Sequence, residues 1–171
     1  MNCRAAIELA LATEVLRAFG ELRFVAQGSS MLPSIFPGDT LLILRQPTAS
    51  VRPGHVVLFS REGRFCAHRV VRAIEVDAQP FLITCGDALT QEDLPVPEHE
   101  FLGRVTAVLR FGKRIELEQT KSVPSFCLRW AVRRSNSVGT WLLRWHALRT
   151  RIARRFGAAR SRLPKNLVEC M

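Results

Sequence analysis

Short apolar runs separated by turn residues are the feature that most constrains how this chain can fold. Pairs such as Pro37-Gly38, Pro53-Gly54 and Glu62-Gly63 interrupt the sequence between them. Runs of four or five residues are too short for typical helices and match β-strands. The sequence therefore predicts a mainly β fold, a rolled sheet or small barrel, over residues 22–118. The runs are Leu41–Leu44, Val56–Phe59, His68–Val71, Phe81–Thr84, Val105–Leu109 and Arg114–Leu117.

The two ends of the chain have helical periodicity instead. Residues 1–21 are predicted as an N-terminal helix, and Gly20 is expected to cap it. Residues 119–137 contain a proline and several serines, which is typical of a linker. Residues 138–171 are predicted as a basic, amphipathic helical tail. The apolar residues at helical spacing near the N-terminus are Ile7, Leu11, Val15 and Phe19.

The net charge of +10 belongs entirely to residues 121–171. Residues 1–120 contain 13 Lys or Arg against 14 Asp or Glu, whereas residues 121–171 contain 12 against one. A domain that binds nucleic acid over its whole surface would be basic throughout. The pattern indicates a near-neutral body with a cationic attachment, and makes a nucleic-acid partner unlikely.

The periodicity of residues 138–157 favours two interpretations of the tail. Its Trp, Leu and Arg content is typical of a helix lying in the interface of an anionic membrane. Alternatively, the apolar face packs on the β domain and the arginines are solvated. The apolar residues that can share one broad face are Trp141, Leu142, Trp145, Leu148, Ile152 and Phe156, and the arginines largely on other faces are Arg144, Arg151, Arg154 and Arg155.

Neither a membrane span nor an export signal is evident. No uncharged apolar run reaches 18 residues, and charges such as Glu8, Glu14 and Arg17 interrupt any signal-peptide core. We therefore expect a cytoplasmic protein or one peripheral at the membrane. The five cysteines are odd in number, scattered and without CxxC spacing, so free thiols are expected rather than disulfides or a zinc site. No metal or cofactor is predicted.

The stretch from Gly28 to Asp39 contains the strongest functional signal. It reads Gly-Ser-Ser-Met-Leu-Pro-Ser-Ile-Phe-Pro-Gly-Asp. Alone, a serine here would be an ordinary cap or turn residue. Further segments follow it in order: 53–59 (Pro-Gly-His-Val-Val-Leu-Phe), 67–71 (Ala-His-Arg-Val-Val), 84–87 (Thr-Cys-Gly-Asp) and 102–105 (Leu-Gly-Arg-Val).

The order and spacing of these segments resemble the signal peptidase I clan of serine endopeptidases. That clan has a Ser-Met-x-Pro box followed by Gly-Asp, an apolar strand, a Lys-Arg or His-Arg base box, a Gly-Asp turn and a late Gly-(Lys/Arg)-Val strand. The resemblance covers about residues 22–110. It implies a signal-peptidase-like or LexA-like rolled β-sheet.

The base box separates two branches of that clan. The commoner bacterial signal peptidases and LexA-type repressors use a Ser–Lys dyad, whereas archaeal and endoplasmic-reticulum signal peptidases have His there. This chain has His68-Arg69, and its three lysines all lie beyond the boxes that would hold the base. The resemblance to the His-type branch implies Ser30 as nucleophile, His68 as general base and Asp93 as the acid that orients it. The chemistry agrees, because a serine hydroxyl needs a neighbouring base and imidazole titrates near neutrality.

The resemblance also implies an oxyanion hole around the nucleophile. The backbone N–H of Ser30 is one expected donor. The clan often has a serine two residues earlier as the second donor. This chain has Gly28 there, with Ser29 shifted by one, so the second donor stays open.

Neighbouring residues are expected to support the site. Met31 and Pro33 are predicted to hold the turn of the nucleophile, and Asp39 and Asp87 to organise their turns. Arg69 is expected to support the fold beside the base. Among the other histidines, His55 is predicted as an exposed turn residue, and His99 and His146 receive no role.

The leading hypothesis is a serine endopeptidase that cleaves a leader or signal peptide from a peptide or preprotein substrate. A LexA-type self-cleaving regulator is the second, although no Ala-Gly dipeptide occurs and the N-terminal segment is too short for a helix-turn-helix domain. A non-catalytic barrel that serves as a binding module is the third.

Overall fold

The computed structural model describes residues 3–117, 140 and 143–148. The predicted linker 119–137 and most of the predicted tail lie outside the described residues. The elements are α1 (Cys3–Phe19), β1 (Glu21–Val25), β2 (Thr40–Leu44), a 3-10 turn (Thr48–Ser50), β3 (Val56–Arg61), β4 (Arg64–Val76), β5 (Gln79–Cys85), β6 (Val96–Pro97), β7 (Phe101–Arg110), β8 (Lys113–Glu116) and a C-terminal helix α2 (residues 143–148).

The eight strands form one antiparallel sheet in the order β1-β2-β7-β3-β4-β5-β6, with β8 pairing β7. The predicted mainly β class is therefore confirmed. Five predicted apolar runs lie wholly within strands, and the sixth ends one residue beyond β8, at Leu117. The apolar runs marked neither β6 nor β1. Strand β6 has only two residues, and β1 alternates between exposed and half-buried residues, so neither forms a run.

Helix α1 ends where the sequence predicts. Gly20 has φ +73°, and its N–H donates to the carbonyl of Leu16 at 3.0 Å. The buried face differs from the apolar periodicity, however: Ala12 and Leu16 are buried, whereas Ile7 and Leu11 are more than 60% exposed. Residues 12 and 16 lie one turn apart and point at the sheet, so the small and the large side chain together fill the available space.

The core lies on both faces of β3. Val56 and Leu58 belong to one buried cluster, and Val57 and Phe59 belong to a second. Successive strand residues point to opposite faces, so a strand that is buried throughout must have apolar layers on both sides. The first cluster also takes in side chains from α1 and from the loop between β1 and β2. This central strand fixes the positions of its neighbours, β4 and β7.

Two cysteines have described thiols: Cys66 is half-buried, and Cys85 is buried with its Sγ 3.2 Å from the Gln91 carbonyl oxygen. No helix in the described ranges is long and apolar enough to cross a membrane.

Candidate active site

His68 lies in the middle of β4, on the face that covers the second core cluster. It pairs with Val57 of β3, and directly paired residues of antiparallel strands share a face. The imidazole is 11% exposed and meets the ring of Phe59 edge-on, with 6.0 Å between the ring centres. Apolar packing therefore restricts the ring to one orientation.

Ser30 comes from the loop that joins β1 to β2, and its Oγ lies 2.9 Å from Nε2 of His68. The loop is anchored directly after this residue. Met31 and Ile35 are buried in the first core cluster, and the Ile35 N–H donates to the carbonyl of Met31 at 2.9 Å. Pro33 is half-buried and follows a cis peptide bond. Buried anchors of this kind hold the serine hydroxyl in place against the base.

Asp93 lies in the segment between β5 and β6, and its Oδ2 is 2.6 Å from Nδ1 of His68. Thr84, which is completely buried, holds the aspartate in two ways. Its hydroxyl donates to the same Oδ2 at 2.7 Å, and its carbonyl accepts from the Asp93 N–H at 2.8 Å. Thr84 is therefore a positioning residue for the carboxylate.

The carboxylate of Asp93 is kept ionised. Burial raises its pKa. Hydrogen bonds from His68 and Thr84, together with the nearby charges of His68 and Arg61, lower the pKa by more than burial raises it. The net pKa lies below the ordinary value. An ionised carboxylate beside Nδ1 accepts a hydrogen bond from the N–H at that nitrogen, which leaves Nε2 able to accept the proton of the Ser30 hydroxyl. The three groups thus form a chain of hydrogen bonds suited to activating a nucleophile.

The backbone of Ser30 is fixed by the turn that follows β5. Its carbonyl accepts from the Ala88 N–H at 2.8 Å. A Cβ placed on Gly86 would lie 2.7 Å from this carbonyl oxygen and 3.0 Å from the side chain of Leu89. The glycine in the Gly86-Asp87 pair is therefore required for the close approach of the two loops.

Residues 8–106 match the model of the Peptidase S24-like family, which is more than half of the 171 residues. The chain belongs to the Peptidase S24-like family. This family suggests a serine peptidase or a LexA-like self-cleaving fold. The match contains Ser30, His68 and Asp93. No curated protein matches the chain.

An ion pair holds the Ser30 loop (residues 26–39) of this Peptidase S24-like chain. Arg69 donates to both oxygens of Asp87, at 2.8 and 2.7 Å, and to the carbonyl of Gly54 at 2.7 Å. Ser34, four residues after Ser30, donates to Asp87 at 2.5 Å. The pair therefore connects β4 and the Gly86-Asp87 turn to the Ser30 loop.

A second ion pair holds the far end of the same loop. Arg110 of β7 donates to both oxygens of Asp39, with a shortest distance of 2.6 Å, and to the carbonyl of Ser34 at 3.0 Å. Asp39 also accepts from the Phe36 N–H at 2.8 Å. The Arg110 guanidinium lies over the Phe36 ring, 4.5 Å from its centre. Planar, bidentate pairing of this kind gives the loop a single geometry.

The oxyanion side of the site is open. Gly28 and Ser29 are exposed, and a Cβ on Gly28 would meet nothing within 4 Å. The Ser30 N–H donates no hydrogen bond to the described part of the chain, so it is available to a substrate carbonyl. A second donor is not identified among these residues.

The remaining histidines do not join the site. His55 is half-buried rather than exposed as predicted, because its Nδ1 accepts from the Arg52 N–H at 3.1 Å and its Nε2 lies 3.3 Å from Arg104. His99 is exposed. His146 is buried and stacks on Phe36, with 4.4 Å between ring centres. The sequence predicts no role for His146 beyond its place in the tail.

The sequence did not predict three residues that position the site: Thr84, Ser34 and Arg110. Thr84 could have been suspected, because it is the one residue with a hydroxyl in the buried run from Leu82 to Cys85. Ser34 and Arg110 had none, because their partners lie 53 and 71 residues away in the sequence. Within the described residues, no cluster of His, Cys, Asp or Glu could hold a metal ion.

Proposed function

We propose that the protein is a serine endopeptidase that cleaves a leader or signal peptide, with Ser30 as nucleophile. The single observation that carries the proposal is the hydrogen-bond chain from Ser30 Oγ through His68 to Asp93, with distances of 2.9 and 2.6 Å. Its order of hydroxyl, imidazole and carboxylate is the one that catalytic triads use on unrelated folds.

Acylation follows from this geometry. The Ser30 Oγ attacks the carbonyl carbon of the scissile bond while its proton moves to Nε2 of His68. The Asp93 carboxylate stabilises the imidazolium that forms, and the Ser30 N–H donates to the developing oxyanion. The imidazolium then gives its proton to the leaving amine, the C–N bond breaks and an ester to Ser30 remains.

Deacylation follows the same steps with water as the nucleophile. The water oxygen attacks the ester carbonyl while His68 accepts a proton from the water, and His68 then returns that proton to Ser30 Oγ. The ester bond breaks, the peptide leaves with a new carboxyl group and the enzyme returns to its starting state. No group other than Ser30, His68, Asp93 and water is needed to balance the atoms.

The identity of the base supports the His-type branch of signal peptidases over the Ser–Lys enzymes. The only lysine among the described residues is Lys113, which is exposed on β8. The position that faces Ser30 is occupied by His68. The proposed substrate is therefore a peptide or preprotein, cleaved in the cytoplasm or by an enzyme peripheral at the membrane.

Cleavage of candidate leader peptides from the same locus, followed by mass spectrometry, tests the proposal. We expect Ser30→Ala and His68→Gln to remove cleavage, with a loss of at least about a thousandfold. Ser50→Ala is the matched control, since it removes an exposed hydroxyl of the 3-10 turn that donates to the Pro47 carbonyl. Cleavage that persists in Ser30→Ala would sink the hypothesis.

The same experiment separates the two rival functions. A LexA-type regulator would cut its own chain and leave added peptides intact, and the fragment masses would reveal the site. A non-catalytic binding module would cleave nothing and would leave Ser30 unlabelled by a serine-reactive phosphonate.

A further inference from the structure

Helix α2 has an inner side that contacts the β domain and an outer side that is about half exposed. Leu143 and His146 are one turn apart on the inner side, where His146 is 7% exposed. Trp145 and Leu148, also three positions apart, lie on the outer side and are 44% and 56% exposed. Trp145 and Leu148 belong to the apolar face predicted from the sequence, whereas Leu143 and His146 do not.

The inner side contacts the loops that hold the proposed nucleophile. Leu143 packs on the cluster formed by Leu32 and Phe36 of the Ser30 loop. Ala88, whose N–H donates to the Ser30 carbonyl, packs on the same cluster. His146 stacks on Phe36. The outer side of α2 is thus attached to the loop of Ser30 through a single layer of side chains.

Phe111 extends the exposed apolar surface beside α2. It lies at the tip of the β7–β8 hairpin, is 45% exposed, and its ring centre is 5.5 Å from that of His146. Its φ is +52° and the next residue, Gly112, has φ +74°. Asn or Asp suits the first position of such a turn far better than a bulky aromatic residue. The turn itself therefore gives no reason for a phenylalanine.

Two exposed cations belong to the elements that form this apolar surface. Lys113 follows the hairpin tip and Arg144 lies on α2, and both side chains are exposed. Glu116, the nearest acid on β8, is paired with Arg114 at 2.6 Å. The segment from residue 121 onward contains 12 Lys or Arg and one acid.

We propose that Phe111, Trp145 and Leu148 form a docking surface for an anionic lipid bilayer. Exposed Phe, Trp and Leu with a cationic rim match the requirements of the lipid interface, where aromatic side chains insert and Lys or Arg contacts anionic headgroups. A nucleic acid would use the cations and leave the apolar side chains in water. Docking here would hold the loop of Ser30 next to the membrane surface.

Vesicle binding by the full chain tests this surface. We expect binding to phosphatidylcholine vesicles that contain phosphatidylserine, and little binding to phosphatidylcholine alone. Phe111→Asn and Leu148→Ser should each weaken binding by about tenfold, since each removes apolar surface that the bilayer would bury. Phe111→Asn suits the turn, so its folding is not at risk.

Val76→Ser is the matched control, because Val76 is 49% exposed on a different hairpin. It should bind vesicles like the native chain, and so should Ser30→Ala, which makes this test independent of the proposed peptidase activity. The proposal is overturned if the native chain ignores anionic vesicles, or if Phe111→Asn and Leu148→Ser both bind them normally. Dimers that dissociate on Phe111→Asn, in a chain that binds no vesicles, would show a protein interface instead.

Discussion

Gly86 lies against the backbone of Ser30, so closely that a Cβ on Gly86 would be 2.7 Å from the Ser30 carbonyl oxygen. The neighbouring Ala88 N–H binds that same oxygen at 2.8 Å. The turn after β5 therefore positions the proposed nucleophile through contacts with its main chain. Displacement of this turn would move Ser30 relative to His68.

Gly86→Ala should lower kcat by about ten- to a hundredfold, because displacement of a reacting group by a fraction of an ångström is costly. Steady-state kinetics on a cleaved peptide measures this. Leu89→Ala in the same chain relieves the side-chain contact but leaves the backbone contact, so the double variant should stay slow. Full recovery in the double variant would mean that Leu89, rather than Ser30, is displaced.

Gly28→Ser should raise kcat, by up to about tenfold, if a hydroxyl there becomes the second oxyanion donor. The backbone at Gly28 lies outside the left-handed region and a Cβ would meet nothing within 4 Å, so the serine fits without strain. Gly28→Ala adds the same Cβ without a donor and should leave kcat unchanged. Equal rates for the two variants would show that the hydroxyl at this position does not reach the oxyanion.

Thr84→Val should raise the pKa of Asp93, since the Thr84 hydroxyl is one of the groups that lower it while burial continues to raise it. The looser carboxylate should also lower kcat by about tenfold, the worth of one hydrogen bond to a charged group. Carbon-detected NMR titration of the carboxyl group measures the first effect. Thr106→Val removes a hydroxyl bound to the Leu42 carbonyl and should leave the pKa of Asp93 unchanged. An unchanged pKa in Thr84→Val would contradict the assignment.

Asp93 should make the fold sensitive to acid. The pKa of Asp93 in the folded state lies below the ordinary value of 3.8, which applies to the unfolded chain. The ionised carboxylate therefore stabilises the fold fully at pH values above this ordinary pKa. This stabilisation is lost as the pH falls through the lowered pKa. Urea unfolding between about pH 4 and pH 2 should show a steeper loss for the native chain than for Asp93→Asn. Parallel curves would mean that Asp93 is not stabilised as an ion.

Arg69→Met should reduce the free energy of unfolding by about 3–5 kcal/mol, because it leaves Asp87 buried without its cation. The side chains of this pair are only 16% and 3% exposed. Arg72, three positions along the strand, pairs with Glu92, and these two side chains are 53% and 39% exposed. Arg72→Met should therefore reduce the free energy of unfolding by less than about 1 kcal/mol. Similar losses in the two variants, measured by urea unfolding, would show that burial does not decide the strength of the pair.

Much of the β domain could be predicted from the sequence because the signals are local. Apolar runs of strand length fall in β2, β3, β4, β5, β7 and β8, and Gly20 ends α1 with the positive φ that glycine allows. The periodicity of α1 did not identify its buried face. Which side of a helix is buried depends on the surface that it meets, and here that surface selects Ala12 and Leu16.

The same distinction between local signals and long-range contacts applies to the candidate site. Sequence alone determined which residue types were present and in what order, including a histidine in place of a lysine in the base box. Only the tertiary structure decided that Ser30, His68 and Asp93 meet, that Thr84 holds the carboxylate, and that His146 packs on Phe36 of the Ser30 loop. Order along a chain follows from covalent bonds, whereas these contacts join residues up to 110 positions apart and depend on which strands pair and which faces are buried.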